Sequence, residues 1–205
     1  LKIKKIVLGS VMTNCYIAWD ERAKQGIVID PADNSSKILK YINDEGIVIK
    51  YIILTHTHFD HIQATAEVSE ATGAKIAIHN LDALGLTDER ISLGAGTGYG
   101  KAQKPADILL NDGDVLKIDN IEFKIIHTPG HTVGGICILA ENVLFSGDTL
   151  FEGDVGRCDL PGGNLDVLIK SLNEKLMVLN DNVTVYPGHG GATTIGNERL
   201  NNPYI

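Results

Sequence analysis

Residues 55–61 read Thr-His-Thr-His-Phe-Asp-His, placing four potential metal ligands within six residues directly after the β-branched run Tyr51 to Leu54. With 7 His and 16 Asp among 205 residues, chance produces His-x-His-x-Asp-His on the order of 6 times in 10,000 such chains. The spacing has a geometric meaning. In extended backbone, side chains two apart share a side, so His56 and His58 can converge on one ion. Asp60 and His61 fall where the chain turns into a helix, and a second nearby ion is their natural target. The helix N-terminus there favours negative charge. A fold that serves this motif therefore needs a strand ending where a helix begins.

Three further donors lie in the second half, each preceded by glycine and each following a strand candidate: Gly130-His131, Gly147-Asp148 and Gly188-His189. Glycine permits the sharp turn that presents a ligand at a sheet edge. The seven donors suit two divalent ions if Asp148, a two-oxygen carboxylate, is shared. Nitrogen and carboxylate ligands without thiolate suit zinc, iron or manganese. His79 reads as structural, and His127, four residues before His131, as supporting rather than ligating.

Strand candidates run Ile3 to Leu8, Asn14 to Trp19, Gly26 to Ile29, Tyr51 to Leu54 and Lys75 to Ile78. A second series covers Val115 to Ile118, Glu122 to Ile126, Ile136 to Leu139, Val143 to Phe145 and Val183 to Tyr186. Helices are expected over Ser35 to Glu45, ending at Gly46, over Asp60 to Ala71, ending near Gly73, and over Leu165 to Leu179 with Leu165, Leu168, Ile169, Leu172 and Leu176 on one face. Ile118-Asp-Asn-Ile121 and Ala140-Glu-Asn-Val143 read as hairpins. Strand blocks returning to helices indicate a layered α/β architecture, and the length indicates one domain spanning residues 1–205. The stretch Gly94 to Lys104 lacks the Lys-Ser/Thr of a phosphate loop and reads as a flexible loop, a candidate rim over the active site.

The net charge of −8 argues against nucleic acid or anionic membrane as partners, and no apolar run reaches a membrane span. The basic N-terminal segment meets Gly9 too soon for a signal peptide and reads as a first strand. Cys15, Cys137 and Cys158 are few, scattered and odd in number, which fits a reducing cytoplasm.

Residues Thr55 to His61, Thr128-Pro129-Gly130-His131-Thr132, Ser146-Gly147-Asp148-Thr149-Leu150-Phe151 and Pro187-Gly188-His189-Gly190, taken in this order, resemble the metallo-β-lactamase superfamily over nearly the whole chain. Thr13-Asn14-Cys15-Tyr16 and Ile29-Asp30-Pro31 are similar too. The resemblance implies a four-layer αββα sandwich, two mixed β-sheets with helices on the outer faces and metals at one sheet edge. One ion would take His56, His58 and His131, the other Asp60, His61 and His189, with Asp148 between them. Asp148 stands where true β-lactamases of this fold usually carry Cys or Ser, which argues against antibiotic hydrolysis.

Within the superfamily the sequence most resembles glyoxalase II, the hydroxyacylglutathione hydrolases, in the short bacterial form. Gly156-Arg157-Cys158-Asp159-Leu160-Pro161-Gly162-Gly163 and the tail Gly196 to Tyr204 carry this likeness. It implies a metal-dependent hydrolase of thioesters of a low-molecular-weight thiol, of the S-lactoylglutathione type. Two divalent ions, zinc first and iron or manganese after it, would activate water that Asp60 orients toward the thioester carbonyl. A thiolate, with a parent pKa of about 8.5, leaves without obligatory protonation. Arg157 could clamp a substrate carboxylate, or pair with Asp159 or Asp154. Cys158 has no activating base beside it and reads as an idle thiol. The alternatives are a mononuclear-iron persulfide dioxygenase on the same fold, using His56, His131 and Asp148, and a metal-binding scaffold without activity.

Overall fold

The computed structural model describes all 205 residues. The chain forms two compact units, residues 1–110 with 117–121 and residues 111–116 with 122–205. None of its helices is long and apolar enough to cross a membrane.

The first unit carries a six-stranded sheet in the order β1 (Lys2–Leu8), β2 (Thr13–Trp19), β3 (Gln25–Ile29), β4 (Val48–Ile53), β5 (Lys75–His79) and β6 (Ile108–Leu110). β1 to β3 pair antiparallel, and β3 to β6 run parallel. β2 is buried at every position, its polar first residues Thr13 and Asn14 included, so Cys15 to Trp19 read as an apolar run and not as an alternation. Ile17, Val28, Ile52 and Ile76 form the centre of this core.

Helix α1 (Ser35–Glu45) matches its expected boundaries. The Asn34 side chain accepts from Lys37 N, and Gly46 closes the helix at φ 66° with Ile38 and Ile42 buried beneath. The helix expected over Asp60 to Ala71 is instead two, α2 (Phe59–Ile62) and α3 (Thr65–Thr72). Tertiary bonds capture backbone groups at the break. Ala64 N–H donates to Pro31 O at 2.9 Å. The buried Gln103 amide accepts from Ala66 N at 3.0 Å and donates to Gln63 O at 3.3 Å. Gln103 belongs to the expected flexible loop, so that loop is anchored at this end.

The second six-stranded sheet carries β7 (Val115–Ile118), β8 (Ile121–His127), β9 (Ile136–Ala140), β10 (Val143–Gly147), β13 (Thr184–Pro187) and β14 (Thr193–Thr194), ordered β14-β13-β10-β9-β8-β7; a separate ribbon pairs β11 (Leu150–Phe151) with β12 (Asp154–Val155). Both expected hairpins form, with Asp119 and Glu141 turning at φ 48° and 52°. The expected helix Leu165 to Leu179 begins as α4 (Leu165–Ser171), capped by Asn164, and widens into a π-turn over Leu172–Leu176. Residues four apart drift around an α-helix of 3.6 residues per turn. The wider turn keeps Leu168, Leu172 and Leu176 together in the core. Leu165, expected on that face, is instead 45 % exposed. Helix α5 (Ile195–Asn201) follows β14.

Candidate metal centre

In the first unit the expected donors sit at the C-terminal ends of parallel strands, the ordinary ligand-binding edge of such sheets. Asp30 follows β3, and Thr55 to His61 follow β4. The buried Asp30 carboxylate accepts Thr55 N–H at 2.8 Å and the Thr55 hydroxyl at 2.6 Å, and it accepts His61 Nδ1–H at 2.9 Å. A hydroxyl has one proton to give. Having given it to Asp30, Thr55 Oγ1 accepts from His56 Nδ1–H at 3.1 Å. One buried carboxylate thereby sets the tautomers of two imidazoles and turns the Nε2 lone pairs of His56 and His61 outward. His56 Nε2 lies 3.1 Å from His58 Nδ1, and His61 Nε2 lies 3.5 Å from Asp60 Oδ2. Because β2 runs opposite to β3, its first residue returns to the same edge, where Thr13 donates its hydroxyl to Asp60 Oδ2 at 2.9 Å.

The second unit repeats this logic. β8 and β10 are both antiparallel to β9, and β13 is parallel to β10, so all three end at one sheet edge. His131, Asp148 and His189 follow those ends. Asp148 Oδ2 lies 3.6 Å from His131 Nε2 and 3.6 Å from His189 Nε2. His131 Nδ1–H donates to Arg157 O at 2.7 Å, again presenting Nε2. The Thr128 and Thr149 hydroxyls meet at 3.0 Å and tie together the segments that carry His131 and Asp148. Gly130 at φ 135° and Gly147 at φ 50° make the expected turns; around His189 the positive φ falls on Gly190 instead of Gly188.

Two ligands of one tetrahedral ion, each about 2.0–2.1 Å from it, lie about 3.3 Å apart. The four donor pairs within the two units, at 3.1, 3.5, 3.6 and 3.6 Å, bracket that separation. The three longer pairs exceed the ordinary N–H···O range. The donor set therefore fits divalent cations of the kind that nitrogen and carboxylate oxygen hold.

Other expected residues find plainer places. Arg157 donates from Nε and Nη2 to both carboxylate oxygens of Asp159, at 2.8 Å each, in an exposed fork. The Asp159 carboxyl is held at about 2 by this guanidinium. His127 bonds through Nε2 to Val133 O at 3.0 Å and so supports the segment after His131. His79 is buried and takes Leu81 N–H on Nδ1. All three cysteines are free thiols. Burial pushes Cys137 up to about 11 and raises Cys158, so neither is primed as a nucleophile. Asp30 and Thr13 are the residues that spacing alone did not single out. Their signal was the position of each at a strand end, which acquires meaning only with strand order.

A family model described as the metallo-beta-lactamase superfamily matches residues 8–189. An uncharacterized protein of Aquifex aeolicus is 40% identical over 98% of this chain and 96% of its own. The hydroxyacylglutathione hydrolase GloC of Haemophilus influenzae is 32% identical over 100% and 98%. The crystal structure of BLEG-1 B3 metallo-beta-lactamase superposes with TM-score 0.94 at 35% identity, covering 99% of both chains. That of TTHA1623 in a di-iron-bound form gives TM-score 0.86 at 34% identity, covering 98% of this chain and 100% of the other. The expected fold class, two mixed sheets with helices in the metallo-β-lactamase fold, is thus the one observed.

Proposed function

The chain belongs to the metallo-beta-lactamase superfamily, and we propose that it is a metal-dependent hydrolase of thioesters of a low-molecular-weight thiol. The observation that carries this reading is the spacing of the donor pairs in each unit, with Asp148 Oδ2 equidistant from two imidazoles at 3.6 Å. On the grouping that the sequence resemblance implies, His56, His58 and His131 hold one divalent ion, Asp60, His61 and His189 a second, and Asp148 is shared. The two units act as one functional domain in this account, since the family match runs through both. Similarity to a protein crystallised in a di-iron-bound form supports a pair of ions, and zinc or manganese suits the same donors.

Divalent ions at such a site lower the pKa of water and polarise a carbonyl. The remaining work falls to the chain. Asp30 fixes the imidazoles of His61 and, through Thr55, of His56. The Arg157 carbonyl fixes His131. Asp60, held by Thr13, orients the attacking water and takes its proton on the carboxylate. The leaving thiolate needs no acid, which suits a site where the carboxylates serve as bases and ligands.

Similarity to the hydroxyacylglutathione hydrolase GloC favours a thioester substrate, whereas similarity to a B3 metallo-beta-lactamase favours a β-lactam. The test is turnover of S-lactoylglutathione, other thiol esters and a chromogenic cephalosporin by metal-loaded protein, in air and anaerobically. Thioester cleavage that is independent of oxygen and far exceeds cephalosporin cleavage is expected. A cephalosporin preference, or thiol-dependent oxygen uptake without thioester cleavage, would overturn the proposal.

A further inference from the structure

Strand β1 is an outer strand of its sheet, paired with β2 on one side. An outer strand seven residues long invites another strand to join it, and lysine along such an edge discourages unselective joining. Lys2, Lys4 and Lys5 are exposed on β1. That role accounts for the strand but not for the helix beside it. Between β1 and α1 runs a groove of about 360 Å³, to which α1 contributes Lys37 and Lys40, three apart on one helix face. With Lys4, Lys5 and Asp44 the charged lining is four cations against one anion, a balance of +3. The chain as a whole carries −8, so the rest of it carries −11. Asp44 is matched by Lys40 at 2.6 Å.

Side chains alternate along a strand. Ile6 is buried in one core with Ile38 and Ile42 of α1, and Lys4 Nζ lies 5.3 Å from the centre of the Tyr41 ring. The even-numbered residues of β1 therefore face the helix. Lys5 and Val7 face the other way, and Val7 is 38 % exposed. The Val7 carbonyl opens to the groove, where it accepts from Lys37 Nζ at 3.5 Å. That distance is beyond the ordinary N–H···O range. A backbone N–H of an added strand would serve the carbonyl better and release Lys37 toward an anion on the incoming chain.

We propose that this groove is a docking site for an acidic, extended segment of a partner protein, which joins β1 as a further strand. Acidic side chains at alternate positions face Lys4, Lys37 and Lys40, and apolar ones between them lie beside Val7. The edge decides for a peptide over a small anion, because an anion satisfies lysines and leaves the backbone ladder unused. The same lysines repel a basic strand and a second copy of β1, so the charge that protects the edge also selects its partner.

The test is fluorescence anisotropy of a labelled Glu-Val-Glu-Val-Glu-Val peptide titrated with the full chain. Two control peptides carry Lys in place of Glu, or the same sequence N-methylated at every residue, which keeps the charges and removes every backbone donor. The acidic peptide should bind at least about tenfold tighter than either, and its affinity should fall with salt as the Debye length shortens from about 30 Å at 0.01 M to about 3 Å at 1 M. An exposed ion pair contributes up to about fivefold in an equilibrium constant, so Lys4→Glu with Lys37→Glu should weaken the acidic peptide at least about tenfold. Equal binding of the acidic and N-methylated peptides, tighter binding of tripolyphosphate than of the peptide in competition, or no binding at millimolar protein would overturn the inference. The peptide comparisons use wild-type protein, so they decide the matter even where the double variant fails to fold. No readout involves turnover, and the outcomes stand whatever reaction the metal centre performs.

Discussion

Replacing Asp30 with Asn tests how a carboxylate that belongs to neither expected ligand group governs both. Asp30 accepts three hydrogen bonds, one on Oδ1 and two on Oδ2. If the Asn carbonyl keeps the Thr55 N–H, its NH₂ faces the Thr55 hydroxyl and His61 Nδ1. Neither bond can then survive with its present polarity. His61 must move its proton to Nε2, the nitrogen that faces Asp60. The flipped amide opposes a donor to Thr55 N–H instead. Hydrogen bonds to a charged group contribute about 1.5–3 kcal/mol each, so the loss of two costs apo protein about 3–6 kcal/mol in urea unfolding. Loss of an orienting partner costs about 10–100-fold in metal affinity, readable by competition with a chromophoric chelator. Unchanged affinity and unchanged unfolding in the variant would refute the tautomer argument.

Thr55→Val removes the hydroxyl's bonds to Asp30 and His56 but leaves the Asp30 bond to His61, so it should weaken metal binding less than Asp30→Asn, as the same competition titration would show. Gly130→Ala should cost about 3 kcal/mol or more in denaturant unfolding, since its Cβ would lie 2.4 Å from the Leu168 backbone at φ 135°; stability within about 0.5 kcal/mol of wild type would contradict this. Burial pushes the Glu198 carboxyl up, but donation from Thr193, Asn202, Gly153 and Asn197 outweighs it and holds the carboxyl below its ordinary 4.5. That stabilisation is present above the ordinary value and fades as pH falls through the lowered one. Glu198→Gln should therefore flatten the acid limb of stability against pH in thermal melts, and a limb identical to wild type would argue against the assignment.

Much of the architecture is legible in the chain because pattern and tertiary structure agree there. Helix α1 lies within its expected limits since Asn34 and Gly46 cap it and Ile38 and Ile42 face one core. The ligand motif is legible because four donors in six residues have few other uses. Discrepancies occur where distant groups intervene. Gln103 and Pro31 split the helix after Asp60, and the π-turn after Ser171 repacks the leucines. The two- and three-residue strands β6, β11, β12 and β14 are too short for any periodicity to mark. Asp30 and Thr13 acquire their roles only when strand order brings β2, β3 and β4 to one edge.

Elemental analysis of protein purified without chelator, alongside His58→Ala and Asp148→Ala, addresses the metal centre most directly. The account predicts about two divalent ions per wild-type chain, loss of at least one in His58→Ala, and depletion of both in Asp148→Ala, with far-ultraviolet circular dichroism unchanged. Wild-type protein that stays metal-free after incubation with zinc, iron or manganese would contradict it, as would an Asp148→Ala variant that retains both ions.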